Sequence, residues 1–167
     1  MKITVALALT LTLAAGVAQA QTITDTAVAV NSSGQFAGEF DTVIQALICT
    51  GLAGELAGRK QYTVFAPTDG AFAALGLDET NICTTFSNAV LKNILLYHVS
   101  PGRRLASDVL EGSNVRMLNK SFTYPFLDNN AAYLRDNSDL TADAEIIVTD
   151  VTASNGVIHV IDQVLLP

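Results

Sequence analysis

Asp150–Pro167 reads DVTASNGVIHVIDQVLLP, and this stretch decides the fold. Its Asn155-Gly156 dipeptide readily takes the positive φ angles of a tight turn, and the apolar segments Glu145–Val151 and Val157–Val164 flank it. A terminal antiparallel hairpin is predicted. Within its second strand His159 shares a face with Val157 and Ile161, where a hydrogen-bonded structural histidine is favoured over a ligand or base. Upstream, from Arg103, similar short segments rich in Val, Ile, Leu, Phe and Tyr are separated by Gly112, Pro125, Asp128-Asn129-Asn130 and Asp136-Asn137-Ser138. That punctuation reads as a run of strands.

A second marked block, TVFAPTDGAF, occupies Thr63–Phe72. Tyr62–Phe65 is β-rich and runs into Pro67, after which Thr68 or Asp69 is placed to cap a helix reaching about Leu75. Before this block, Phe40, Val43, Ile44, Leu47 and Ile48 form one amphipathic stripe, with Gly51 as the stop. A shorter helical piece spans Leu52–Ala57 and ends at Gly58. After the block, Val90, Leu91, Ile94, Leu95 and His98 form another stripe that closes before a turn at Pro101-Gly102. Gln21–Gly38 is small and polar, and reads as a lead-in lying across the surface. Helices followed by strands predict an α+β fold, not a parallel βαβ one.

Lys2, the apolar run Ile3–Val17 and Ala18-Gln19-Ala20 have the three-part pattern of a secretory signal. Residues 1–20 are therefore expected to be removed, leaving a single domain over residues 21–167 with no later segment long enough to span a bilayer. The full chain carries nine basic and sixteen acidic side chains; loss of Lys2 leaves eight against sixteen, a net charge of −8. Nucleic acid and anionic membranes want a basic face, so both are disfavoured as partners. Cys49 and Cys83 are the two cysteines, and in an oxidising compartment a disulfide is the leading reading, with two separately buried thiols as the alternative.

These segments together resemble the fasciclin-like (FAS1) domain. Phe65, Ala66, Pro67, Thr68, Ala71 and Phe72 match its first signature, with Asp69 and Gly70 where the family pattern has Asn and a larger residue. Asn155, Gly156, Val157, His159, Val160 and Asp162 match the second, and Tyr97-His98 matches the central Tyr-His pair. The resemblance runs from about Phe36 to Pro167. It implies a β-wedge of short strands with helices packed at one end, in which Phe65, Pro67, Thr68, Phe72, Asn155, Gly156 and His159 are structural. It further implies a secreted or periplasmic, non-enzymatic adhesion module that binds an extracellular or cell-surface protein or matrix. The adhesion-linked positions carried over by the resemblance are Tyr97, His98, Asp150 and Val151, expected to lie near one another.

Other chemistries find little in the sequence. No GxSxG elbow, Walker loop, HExxH or dinucleotide fingerprint is present, so no catalytic residue, cofactor site or metal site is assigned. The acidic run Asp136–Asp143 lacks the spacing of an EF-hand loop and reads as solvated. A carrier of an apolar small molecule is the alternative function, and it requires an aliphatic pocket of several hundred Å3.

Overall fold

The computed structural model describes residues 21–167; the expected signal segment lies outside them. Residues that precede the first signature form three helices, α1 (Ile23–Ser32), α2 (Asp41–Thr50) and α3 (Leu52–Leu56). Gly51 ends α2 in the left-handed region at φ 74°, as its sequence position predicts. Strand β1 (Tyr62–Pro67) then turns at Thr68 into α4 (Asp69–Ala73), followed by α5 (Ile82–Thr85) and α6 (Asn88–Tyr97). The second half contains β2 (Val99–Pro101), α7 (Ala106–Glu111), β3 (Val115–Arg116), β4 (Phe122–Asp128), β5 (Ala131–Arg135), β6 (Ala144–Ala153) and β7 (Gly156–Ile161).

The strands make one sheet in the order β2-β1-β7-β6-β5-β4-β3, in an α+β fold as expected. Leu118 N–H donates to Val99 O at 2.7 Å and Ser100 Oγ to Arg116 O at 2.9 Å, so the two ends of the sheet curl towards each other. Every residue of β1 and β7 is buried, because these central strands are covered on both faces. Val64, Ala66, Ile158 and Val160 face the helices and pack with Phe40, Leu52, Phe72 and Leu91. Phe65 and Ile161 face the other way, into a second core with Tyr97, Met117, Leu134 and Leu165. Full burial of a side chain such as Phe65 or Phe72 stabilises the fold by roughly 1.5–3 kcal/mol.

Four expectations are corrected. The lead-in is not merely surface chain: Thr22 and Asp25 form a capping box that starts α1, and Ile23 is buried against the core. Pro101 belongs to a strand, and α7 interrupts the predicted run of strands. One pairing carried no expectation: β1 runs parallel to β7, from Tyr62 opposite Gly156 to Pro67 opposite Ile161, whereas the other pairings among the described residues are antiparallel. The terminal turn falls at Ser154-Asn155, since Ala153 already pairs with Gly156.

The first-signature corner divides the capping between its two candidates. Thr68 Oγ1 accepts from Ala71 N–H at 3.3 Å and caps α4. The Asp69 carboxylate instead accepts from Asp41 and Thr42 N–H at 3.2 and 2.9 Å, closing the start of α2 across a long sequence distance. Cys49 at the end of α2 and Cys83 in α5 form a disulfide, with Cα atoms 6.2 Å apart.

Candidate functional site

The Tyr-His pair ends α6 and is buried. Tyr97 is inaccessible to solvent; its hydroxyl donates to Phe122 O at 2.7 Å and accepts from Asn137 Nδ2 at 3.4 Å. Burial, with Asp136 second, pushes its pKa up to about 12. His98 accepts from Leu165 N–H at Nε2, 2.9 Å away, so its proton sits on Nδ1 and is donated to Ile94 O at 2.8 Å. The imidazole thereby ties the C-terminal segment to the end of α6. Asp136 anchors the same segment through Leu166 N–H at 2.8 Å, which gives this part of the acidic run a structural task.

Burial holds His98 in its neutral form, with a pKa lowered to about 4. Neutral imidazole is the form the fold uses, so this contribution is complete above the unfolded value near 6.5 and is lost as pH falls through 4. The difference predicts a loss of about 3 kcal/mol of stability over that window. His159, also lowered chiefly by burial, acts in the same direction. Urea midpoints measured from pH 7 to 4 should fall for the parent and flatten in His98→Gln; equal slopes would remove His98 as the cause.

Asp150 and Val151 occupy the bulged part of β6, where the register shifts between Val148 and Val151. Asp150 is exposed and left-handed at φ 60°, a conformation that Asp tolerates better than most residues. Its backbone N–H donates to His159 Nδ1 at 3.2 Å, and its carboxylate accepts from Ala106 N–H at 2.9 Å at the start of α7. His159 is thus protonated at Nε2, which donates to Arg104 O at 3.0 Å, while its ring stacks on Phe65 at 5.4 Å. Both histidines spend both ring nitrogens on backbone groups inside the fold.

The four adhesion-linked residues are not brought into one patch. Val151 pairs with Ile158, Ile158 with Val64, and Val64 with Val99, so the two segments sit three strands apart, about 14 Å at ordinary strand spacing. Val151 instead lines an apolar cavity beneath α1, with Ala27, Val30, Val43, Val64 and Ile158. Its volume is about 40 Å3. Asn155, read in the sequence as a turn and signature residue, is a buried bracket. Its Oδ1 accepts from Ile23 N–H at 2.7 Å, and its Nδ2 donates to Leu56 O at 2.6 Å and Gly58 O at 2.8 Å.

Sequence reasoning missed a further surface on β4–β6. Opposite to Thr123 and Leu134, which are buried, the outward positions carry Phe122, Tyr124, Phe126, Tyr133 and Arg135. The alternation of aromatics along FTYPF was the available signal. No group of three or more His, Cys, Asp or Glu placed to hold a metal occurs among the described residues. Nor does any described helix have the length and apolarity to cross a membrane.

The fold and its buried histidines define an α+β wedge domain whose polar interior is committed to holding strands together. The chain belongs to the fasciclin family: the fasciclin domain model matches residues 38–167. It is 38% identical to Protein sll1483 of Synechocystis sp. over 130 residues, covering 77% of this chain and 67% of that protein. It is 37% identical to transforming growth factor-beta-induced protein ig-h3 of Sus scrofa, again over 77% of this chain but over 18% of that much longer protein. Among solved structures, a FAS1 domain pair from the insect cell adhesion molecule Fasciclin I has the same fold, with a TM-score of 0.67 at 17% identity. That match covers 88% of this chain and 51% of the other. In this chain α1 lies ahead of the segment that the family model matches.

Proposed function

We propose that this chain is an exported, single-domain, non-enzymatic interaction module that binds an extracellular or cell-surface protein or matrix partner. The observation that carries the reading is the filled interior. A cavity of about 40 Å3 is far below the several hundred Å3 of a carrier site. Both histidines are engaged by backbone groups, so neither stands ready as a general base. Surface recognition is what this arrangement leaves, in keeping with the insect cell adhesion molecule that has the same fold. In this reading the domain begins near Gln21 after removal of the signal segment, and the protein is secreted or periplasmic.

Within the adhesion-linked segments, Asp150 is the exposed contact, whereas Tyr97, His98 and Val151 support the backbone around them. Domain beginning at Gln21, immobilised and exposed to the native envelope or matrix fraction, should retain a specific partner. His98→Ala should lower binding and melting temperature together, while Asp150→Ala should lower binding at a stability cost of about 2 kcal/mol, from the lost helix cap and from a left-handed φ that Ala tolerates less well than Asp. No retained partner, together with a rise in melting temperature on adding a fatty acid, would replace this reading by the carrier.

A further inference from the structure

We infer that the outward face of β4, β5 and the start of β6 docks an arginine-bearing segment of a partner protein. This inference rests on the interaction-module reading and adds to it the surface and the partner's chemistry. The platform is built by register. Phe126 lies opposite Tyr133 and Tyr124 opposite Arg135, and Tyr133 in turn lies opposite Glu145 on β6. Residues directly opposite in an antiparallel pair point to the same side, so these groups share one face. Tyr124 and Phe122 are 43% and 39% exposed, large values for aromatic side chains.

The structure itself supplies the chemistry of the occupant. Phe126 and Tyr133 stack with centroids 5.4 Å apart, and the Arg135 guanidinium sits 4.9 Å from the Phe126 ring centre. Cation–π attraction favours that position, and Asp143 fixes the guanidinium with bonds of 3.1 Å from Nε and 3.0 Å from Nη2. Arg135 is thereby neutralised as well as oriented. Tyr133 is the next ring in the row and has carboxylates around it in place of a cation. Partial burial raises its pKa most, followed by the charges of Glu145, Asp128 and Asp162, and Glu145 also shares a hydrogen bond with the Tyr133 side chain, while Asp162 Oδ1 accepts from Glu145 N–H at 2.7 Å. The ion pairs among the described residues are Lys92–Glu55 and Arg135–Asp143, so none of these three carboxylates has a basic partner.

An arginine entering beside Tyr133 would therefore find a ring to stack on and carboxylates to accept its N–H groups, repeating the Arg135–Phe126–Asp143 arrangement one step along the platform. Lysine offers a point charge without the planar fork and is the poorer fit. At the opposite end, Arg116 pairs with Phe122 and makes that end less receptive to a cation. The docking position is consequently the Tyr133 end.

The test uses the whole domain and labelled hexa-arginine, hexa-lysine and hexa-glutamate peptides, followed by fluorescence anisotropy at about 50 and 150 mM salt. Hexa-arginine should bind best. Tyr133→Leu and Glu145→Gln should each weaken it by about threefold to tenfold, Glu145→Gln at unchanged melting temperature and Tyr133→Leu with the small fall that loss of its stack on Phe126 brings. Asp139→Asn, in the acidic loop, should leave it unchanged. Parent-like affinity in both platform variants would overturn the inference, as would an Asp139→Asn loss equal to that of Glu145→Gln, since binding would then follow overall acidity. If the domain's captured partner is still held by the Tyr133→Leu/Glu145→Gln double variant, the module reading stands and this surface is wrong. If the parent captures no partner, the module reading itself fails.

Discussion

Gly156→Ala is expected to leave no soluble folded domain, or one destabilised by more than about 4 kcal/mol, the range reserved for severe steric defects. A β-carbon at this position would collide with the Tyr62 carbonyl oxygen and approach the Ile23 Cδ1 atom to 2.8 Å. The first of these obstacles is backbone. Tyr62 lies opposite Gly156 at the start of the parallel β1–β7 pairing, and Tyr62 N–H donates to Asn155 O at 3.1 Å. Relief would require the two central strands to separate where Asn155 also joins α1, α3 and the hairpin. The φ of 155° adds a conformation that side-chain-bearing residues rarely adopt. Gly70→Ala is the comparison: its β-carbon would meet only Thr68 Oγ1 at 3.6 Å, inside the first turn of α4. That variant should match or slightly exceed the parent. Expression followed by circular dichroism and urea titration decides it; a folded Gly156→Ala protein with a parent-like midpoint would refute the close-approach account.

Much of this fold is legible locally because its decisive residues act on their neighbours. Gly51 stops a helix, Thr68 caps one, and the apolar stripe from Phe40 to Ile48 has helical spacing whatever it packs against. What stayed hidden depends on partners far along the chain. Nothing in Asp69 itself announces that it caps α2, 27 residues earlier at Thr42. Nothing in Asn155 announces bonds to Ile23 and Leu56. The parallel register of β1 on β7 has the same origin, since two continuous apolar strands look alike in either direction. α1 was missed for a different reason: Thr22 and Asp25 form its capping box with Asp where Glu or Gln is the usual sign.

For the candidate site, the residue types were legible and their exposure was not. Tyr97 and His98 end an amphipathic stripe, and such a position leaves open whether the rings face the core or the solvent. The structure turns both inward and uses them to hold Phe122, Ile94 and Leu165. Asp150 is exposed because a bulge rotates β6 locally, and register shifts of that kind have no simple sequence signal. The aromatic alternation of β4 was visible, but its neighbours Tyr133 and Glu145 come from two other strands.

Removing the Cys49–Cys83 disulfide is expected to cost about 4 kcal/mol, from the chain-entropy cost of closing a loop of this length. The bridge spans 34 residues, encloses β1 and the α4 corner, and fastens the end of α2 to the short helix α5. A helix of four residues cannot hold itself, and α5 is otherwise anchored by the fully buried Ile82. Against a domain stability of roughly 5–15 kcal/mol, such a loss is severe, so the protein suits an oxidising compartment far better than a reducing one. Cys49→Ser/Cys83→Ser should therefore unfold at a urea concentration lower by about 2 M, taking a slope of about 2 kcal/mol per molar. The parent with added reductant should do the same. An unchanged midpoint would show that the bridge constrains nothing the unfolded chain was free to lose. Under conditions where the double variant remains folded, hexa-arginine should still bind, because the platform on β4, β5 and β6 contains neither cysteine. Loss of stability without loss of binding would separate the brace from the surface it supports.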